Sequence, residues 1–285
     1  MTRNKYSHLT AKEREKMSFP SRILYERGLL KGNVLDFGCG HGKDVEELQQ
    51  KKIAIDGYDP YYQPNIKREK YDTIICNYVL NVLESQEQAK VLFEVSQILK
   101  IGRKAYFAVR RDVKKSGFRK HYIHKEYTYQ TNVLLPFKSI FLNENLEIYE
   151  FQHFTLLNNE NTTNSPFLKG DNKENHIGEI ATCLAIYDKY PVSKGHSLII
   201  PKNEVSDYFE LSFKEQAACW FLVNLVKEYL KDKFAPDGFN IGVNSGKTAG
   251  QTVDHCHIHL IPRYKDDIED PTGGVRGVIP DKRVY

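Results

Sequence analysis

The chain has 285 residues, a net charge of +4, and 40% hydrophobic with 12% aromatic residues, a length that suits two domains and a composition that excludes global disorder. No apolar run is long enough to span a bilayer, and the N-terminus MTRNKYSHLT lacks an apolar signal core, so a cytoplasmic protein is expected. The five cysteines (39, 76, 183, 219, 256) form no C-x-x-C pair and read as reduced thiols.

Charge is uneven along the chain. Residues 1–157 carry 26 Lys and Arg against 19 Asp and Glu, a net of +7, whereas residues 158–285 carry 15 against 18, a net of −3. A polyanionic partner is therefore sought on the first half.

Ser21 to Leu30 has apolar residues at helical spacing, just after Pro20. NVLDFG (33–38) reads as a buried strand running into the turn Asp36 to Gly42, DFGCGHG. Gly38, Gly40 and Gly42 let backbone approach a ligand at the N-terminus of the helix that DVEELQQ begins. Such a turn also ends strands for purely structural reasons, and its G-x-G-x-G spacing differs from the dinucleotide G-x-G-x-x-G. A second strand, IAIDGYDP, ends at Asp59, whose carboxylate can accept both hydroxyls of a ribose. A third strand at 71–80, a helix stopped by Gly102 and the strand KAYFAVR complete an alternating, doubly wound α/β pattern.

The turn, Asp59 and the order of elements resemble class I S-adenosylmethionine-dependent methyltransferases. The resemblance implies a Rossmann-like α/β domain over 1–157 that binds S-adenosylmethionine. Asp36, Gly38, Gly40 and Gly42 would form the cofactor loop, Asp59 would hold the ribose, and Asn77 would line the methionine side. A nicotinamide-binding or vestigial domain is the alternative. Two departures stand out: the segment between Asp59 and Tyr71 is short, with no evident acidic residue for the adenine, and the tail after residue 110 is abbreviated. YDPYYQP and NYVLNVLE further resemble a small set of bacterial methyltransferases associated with nucleic-acid modification systems.

From Lys100 to Lys125 the chain carries ten Lys and Arg against one acid, Asp112, with Phe118, His121 and Tyr122 interleaved. This is either a solvated face or a phosphate-contacting patch for a nucleic acid, with aromatics for stacking. Residues 158–176, rich in Asn, Thr and Ser, read as a linker. In the second domain, 177–285, GEIATCLAIYDKYP reads as a strand. The S-x-x-E capping box from Ser212 to Glu215 starts a long helix with Ala218, Leu222, Leu225, Val226 and Tyr229 at helical spacing.

The most informative stretch is GQTVDHCHIHLIPRY, Gly250 to Tyr264. His255, His257 and His259 occur at every second position, so on a strand all three imidazoles face one way. They are metal ligands, a nucleophile with oriented neighbours, or chance polar residues on a half-wet strand.

These residues, with NIGVNSG (240–246) and AIYDKYPVSKGHSLIIPK (185–202), resemble the histidine triad (HIT) hydrolases and nucleotidyl transferases over about the last 120 residues. The resemblance implies an α+β domain with an antiparallel sheet, and His257 as nucleophile on the α-phosphorus of a nucleotide, through a nucleotidyl-histidine. The His255 carbonyl would hold the other ring nitrogen of His257. Asn244, Gly250, Gln251, Thr252, Val253 and His259 would surround the phosphate, Ile186 the base and Asp188 the ribose, with His196 as an additional histidine. It also implies a homodimer and an adenosine-containing substrate. Some members hold zinc with a C-x-x-C pair at the domain start; here that region is SPFLKG, so no metal is expected. The whole reads as a bifunctional enzyme, a methyltransferase joined to a HIT hydrolase. The alternative is a HIT hydrolase with a noncatalytic nucleotide- or RNA-binding module.

Overall fold

The computed structural model describes residues 5–66, 70–157 and 163–284, and the chain divides into two compact units, 1–153 and 154–285. Of the expected linker, residues 158–162 lie outside the described residues. From Thr163 onward that segment belongs to the second unit, because Ser165 and Leu168 are buried there, at 2% and 1% exposure.

The first unit contains α1 (Phe19–Glu26), β1 (Val34–Phe37), α2 (Lys43–Gln50), β2 (Ile55–Tyr58), β3 (Tyr71–Asn77), α3 (Ser85–Ile98) and β4 (Leu99–Arg110). After these come β5 (Gly117–Lys120), β6 (Tyr127–Gln130), β7 (Lys138–Leu142) and β8 (Leu146–Phe151). Its main sheet runs β2-β1-β3-β4-β8-β7. The first four strands are parallel and the last two antiparallel, so strand–helix alternation ends at β4 and the sheet is mixed. All four residues of β1 are buried, as a central parallel strand requires. Ser18 caps α1 by accepting from the Ser21 N–H, with Pro20 in the first turn, and Glu84 and Glu87 form a capping box at α3. The core joins Leu24, Leu48, Ile75 and Ile148. Each is fully buried, a gain of about 1.5–3 kcal/mol per side chain relative to exposure.

The second unit contains α4 (Phe154–Leu157), β9 (His176–Glu179), β10 (Cys183–Tyr187), β11 (Ser197–Pro201), α5 (Phe213–Phe234), β12 (Gly238–Val243) and β13 (Ile258–Arg263). GEIATCLAIYDKYP is therefore not one strand but a hairpin, β9 turning into β10. The antiparallel order is β12-β13-β11-β10-β9. Ser212 and Glu215 close the expected capping box, and α5 buries Cys219, Leu222, Val223, Val226 and Leu230. Leu184, Ile186, Leu198 and Ile200 pack with Leu168, flanked by Phe154 and Phe167. Ile186 pairs with Leu198, and Leu198 with His259, so His259 belongs to this face of the sheet.

Candidate functional site

In the second unit only His259 of the three alternating histidines lies inside β13, which begins at Ile258. The expected strand carrying all three is corrected: the Cys256 N–H donates to Val205 O at 2.7 Å, outside the ladder. His257 and His259 remain neighbours, ring centroids 4.9 Å apart and edge-on. His255 points elsewhere. Its ring is fully buried, Nδ1 is 2.5 Å from Ser165 Oγ, and Nε2 is 2.9 Å from Pro201 O and 3.2 Å from Asn203 O. Its nitrogens are thus occupied, and its contribution to the site comes through its carbonyl.

That carbonyl accepts from His257 Nδ1 at 2.8 Å. Because Nδ1 faces a carbonyl it carries the proton, which leaves Nε2 with a free lone pair. Burial lowers the His257 pKa, against the opposing pull of the His255 carbonyl and Asp188, so the ring is neutral at pH 7. Phe167 sits edge-on at 4.9 Å against this ring.

A second chain of contacts orients His259. The Val192 N–H donates to His196 Nδ1 (3.3 Å), which puts the His196 proton on Nε2. His196 Nε2 is 3.1 Å from His259 Nδ1, so donation there leaves the His259 proton on its own Nε2. Burial, reinforced by His257 and His196, pushes the His259 pKa down to about 4. Asp188 Oδ1 accepts from the Tyr190 N–H and its Oδ2 lies 3.5 Å from His196 Nδ1. Ile186, at 3% exposure, is packed in the core beneath this face.

The loop before the histidines has Gly250 at φ +87°, in the left-handed region, where a Cβ would stand 3.9 Å from Asn244 Nδ2. Gln251 is corrected from a nucleotide contact to a pin. Its Oε1 accepts from the Gly246 N–H, and its Nε2 donates to Ser206 O and Val253 O, leaving the amide spent on loop backbone. Thr252 is exposed and Val253 half-buried, and among the described residues no hydrogen bond engages either N–H. The loop leading to the histidines thus offers two N–H donors, with the Asn244 amide beside Gly250, groups suited to phosphoryl oxygens. Sequence reasoning missed Ser165 and Phe167. Their only signal was an apolar Pro-Phe-Leu run inside a polar stretch.

In the first unit a cavity of about 610 Å³ is lined by Arg14, Asp36, Gly38, Gly40, Asp59 and Asn77 among others. Gly38, Gly40 and Gly42 adopt φ of +83°, +55° and +81°, and a Cβ on Gly38 would stand 2.2 Å from Val79 Cγ2. Asp59 is more occupied than expected: Oδ2 accepts from the Gly40 N–H, and Oδ1 from the Tyr61 and Tyr62 N–H groups. Three of its roughly four lone-pair sites are used, leaving one for a ligand hydroxyl. Asp36 is buried, and burial, with Asp44 beside it, holds its pKa well above the carboxylate range. Asp44, also missed, accepts from the Ser18 N–H (2.7 Å) and from Ser18 and Ser21 Oγ, with Arg14 3.9 Å away. Asn77 donates to Ser21 Oγ, while its buried Oδ1 has no donor among the described residues. An orphaned acceptor and buried carboxylates in one cavity fit a ligand with a cationic, N–H-bearing end, as S-adenosylmethionine has.

The architecture and sites define a two-part protein of methyltransferase and HIT type. The first unit matches the methyltransferase domain family over residues 7–150, and the second matches the HIT domain family over 169–266. An uncharacterized HIT-like protein of Mycoplasma genitalium is 36% identical over 110 residues, covering 37% of this chain and 78% of the relative. The adenosine 5'-monophosphoramidase of Schizosaccharomyces pombe is 38% identical over 100 residues, 35% of this chain and 72% of the relative. A bis(5'-adenosyl)-triphosphatase of Dictyostelium discoideum is 37% identical over 87 residues, 30% of this chain and 58% of the relative. The chain belongs to the HIT family through its second unit and carries a methyltransferase domain in its first. It is an enzyme. Among the described residues, no helix is long and apolar enough to cross a membrane.

Proposed function

We propose that the chain is a bifunctional cytoplasmic enzyme: an S-adenosylmethionine-dependent methyltransferase fused to a HIT hydrolase that cleaves adenosine nucleotides at the α-phosphorus. The observation that carries the hydrolase half is the His257 Nδ1 to His255 carbonyl bond, which leaves His257 Nε2 unprotonated. Nε2 attacks the α-phosphorus, an N–P bond forms, and the P–O or P–N bond to the leaving group breaks. The leaving group takes up a proton from solvent, while the neutral His259 Nε2–H donates a hydrogen bond to the phosphoryl group. Water then attacks the phosphorus and loses its proton to solvent as the N–P bond breaks, which releases the nucleotide and restores the free ring nitrogen. The Thr252 and Val253 N–H groups and Asn244 stabilise the charge on the phosphoryl oxygens, while Asp188 receives the ribose hydroxyls. An adenosine substrate is supported by the named activities of the fission yeast and Dictyostelium relatives.

In the first unit Asp36, Gly38, Gly40, Asp59 and Asn77 would hold S-adenosylmethionine, which supplies an electrophilic methyl group on sulfonium, while Gly42, expected with them, lies off the cavity lining and faces Gln63. The basic segment 100–125 would meet a nucleic acid. The second unit would form a homodimer through α5 and the edge strand β12.

Acid quenching of a reaction with adenosine phosphoramidate should trap adenylate on His257, read by peptide mass spectrometry. His257→Ala should give neither adduct nor turnover, and a variant that keeps wild-type turnover would exclude the nucleophile assignment. A noncatalytic first unit would bind S-adenosylmethionine without ever transferring the methyl group, which a tritiated-methyl assay on cellular acceptors distinguishes.

A further inference from the structure

The ten basic residues from Lys100 to Lys125 are not equivalent once folded. Lys100 and Arg103 pair with Asp72, Lys104 with Glu150, Arg110 with Asp112 and Arg111 with Glu147. These five are paired where they stand, against four carboxylates. The other five, Lys114, Lys115, Arg119, Lys120 and Lys125, have no acidic partner among the described residues and are all exposed. Among the described residues the Arg119 side chain donates only to Lys115 O and the Lys125 side chain only to Tyr122 O. All five belong to the β5–β6 hairpin and the segment leading into it, where the only acid is Glu126.

The hairpin has two unlike faces. Phe118 lies opposite Tyr129 and Lys120 opposite Tyr127, so these four side chains share one face. The other face carries Arg119 and Thr128, and Thr128 is buried, at 1% exposure. The aromatic face therefore looks outward, with Phe118 at 43% and Tyr127 at 59% exposure, and Tyr122 at 78% beyond the strand ends. Exposed aromatic rings among unpaired cations match what an unpaired base and its phosphate present: a π-face and a negative charge. A duplex hides the base faces, so it could use only the charges.

The position of the hairpin adds to this. β6 packs against the turns Ser7–Thr10 and Leu80–Val82, both of which contribute to the wall of the cofactor cavity. Buried Asn81 ties the two together, donating to Thr131 O at 2.7 Å and accepting from the Arg110 N–H at 2.7 Å. We infer that the outer face of the β5–β6 hairpin docks a single-stranded nucleic acid and lays it along the rim of the cavity, where an atom of an unpaired base would bond to the methyl carbon as the sulfonium–carbon bond breaks, S-adenosylhomocysteine leaving and the acceptor's proton passing to solvent. The acceptor role rests on the proposed methyltransferase reading; the docking does not.

The full-length protein, titrated into fluorescently labelled single strands of about 12 nucleotides, tests this by anisotropy. Binding should weaken between about 50 and 200 mM salt with a log–log slope of about −2 to −3, at about 0.7 per phosphate contact on single strands. The platform reads bases and phosphates, so RNA and DNA strands of one sequence should bind within about fivefold, and the matching duplex at least tenfold more weakly. Tyr127→Ala with Phe118→Ala should cost about five- to a hundredfold, whereas Tyr127→Phe, which keeps the ring, should cost little. Lys114→Gln with Lys120→Gln should flatten the salt slope, with thermal unfolding unchanged. Asp59→Ala, which addresses the cofactor and not the hairpin, should leave strand binding intact, so a failed methyltransferase reading would not be mistaken for a failed docking surface. Duplex binding as tight as single-strand binding, or indifference to loss of both rings, would overturn the stacking platform. A hundredfold sugar preference would do the same.

Discussion

Ser165 Oγ and His255 Nδ1 meet at 2.5 Å across 90 residues of sequence, both groups buried. The contact orients a histidine whose two ring nitrogens are both engaged by protein groups. With Nδ1 on Ser165 and Nε2 on the Pro201 and Asn203 carbonyls, the His255 ring is immobile, which fixes the backbone carbonyl that His257 leans on. Phe167, two residues on, packs edge-on against His257 itself. One short segment therefore positions the proposed nucleophile twice, through a hydrogen bond and through a ring edge.

Ser165→Ala should accordingly act on stability and on catalysis together. It leaves a buried imidazole nitrogen without a partner, a loss of about 1–3 kcal/mol. Thermal or urea unfolding of the full chain should show this, and kcat for adenosine phosphoramidate should fall with KM little changed. Ser165→Thr keeps the hydroxyl and should recover most of both. If Ser165→Ala unfolds like the wild type and turns over at the same rate, the contact has no positioning role.

Asp59→Ala should lower affinity for S-adenosylmethionine by more than tenfold, measured by calorimetry. The carboxylate holds the Gly40, Tyr61 and Tyr62 N–H groups and has one lone-pair site left for a ribose hydroxyl. Loss of charge-assisted hydrogen bonds, at about 1.5–3 kcal/mol each, exceeds what a tenfold change needs. Asp44→Asn should instead reduce thermal stability, because it weakens a buried carboxylate accepting from Ser18 and Ser21. Unchanged affinity in Asp59→Ala would remove the second strand from the cofactor site.

Much of this was legible in the sequence. Gly38, Gly40 and Gly42 all adopt the left-handed backbone that a glycine-rich turn implies, and the strand–turn–helix around them stands where hydrophobic runs placed it. Periodicity alone misjudged the histidines. Alternation predicts one strand from His255 onward, but the Cys256 N–H is taken by Val205 in a loop far away in sequence, and the ladder starts two residues later. Ser165 and Phe167 were hidden because composition averages over a window: two buried residues among many Asn and Thr leave a segment that looks like a linker. Charge counting failed in the same way at Lys100 to Lys125. It cannot see that Asp72, Glu147 and Glu150 arrive from elsewhere to neutralise part of the run.

The dimer proposal makes its own prediction. Phe213 and Trp220 on α5 are 85% and 41% exposed, and β12 is an edge strand whose residues are all half-buried, an exposed ladder that edge strands usually protect. Light scattering at micromolar concentration should give twice the chain mass, and Trp220→Glu should shift it toward the monomer. A concentration-independent monomer of the wild type would end this proposal.

The last prediction concerns pH. His196, His257 and His259 all have pKa values lowered below 6.5 chiefly by burial, His259 to about 4. The unfolded chain takes up these protons first as pH falls. The stability they contribute is therefore complete above about 6.5, the unfolded value, and is lost progressively as pH drops toward 4. Urea titrations of the full chain at several pH values should show this sign, with stability flat above neutrality and falling below about 6.5. Catalysis needs a neutral His257, so the acid limb of kcat/KM for adenosine phosphoramidate should also lie below the ordinary histidine range. His196 is one of the groups holding the His259 pKa down, and it donates the hydrogen bond that leaves the His259 proton on Nε2. His196→Ala removes both influences and admits water. The pKa of His259 should rise toward 6.5, and kcat should fall. ¹⁵N shifts of the imidazoles, recorded from pH 7 downward, report the same event directly: His259 in the wild type should stay neutral and Nε2-protonated until near pH 4. A His259 titration that does not move in His196→Ala would mean that His196 only fills space beside His259 and does not set its protonation.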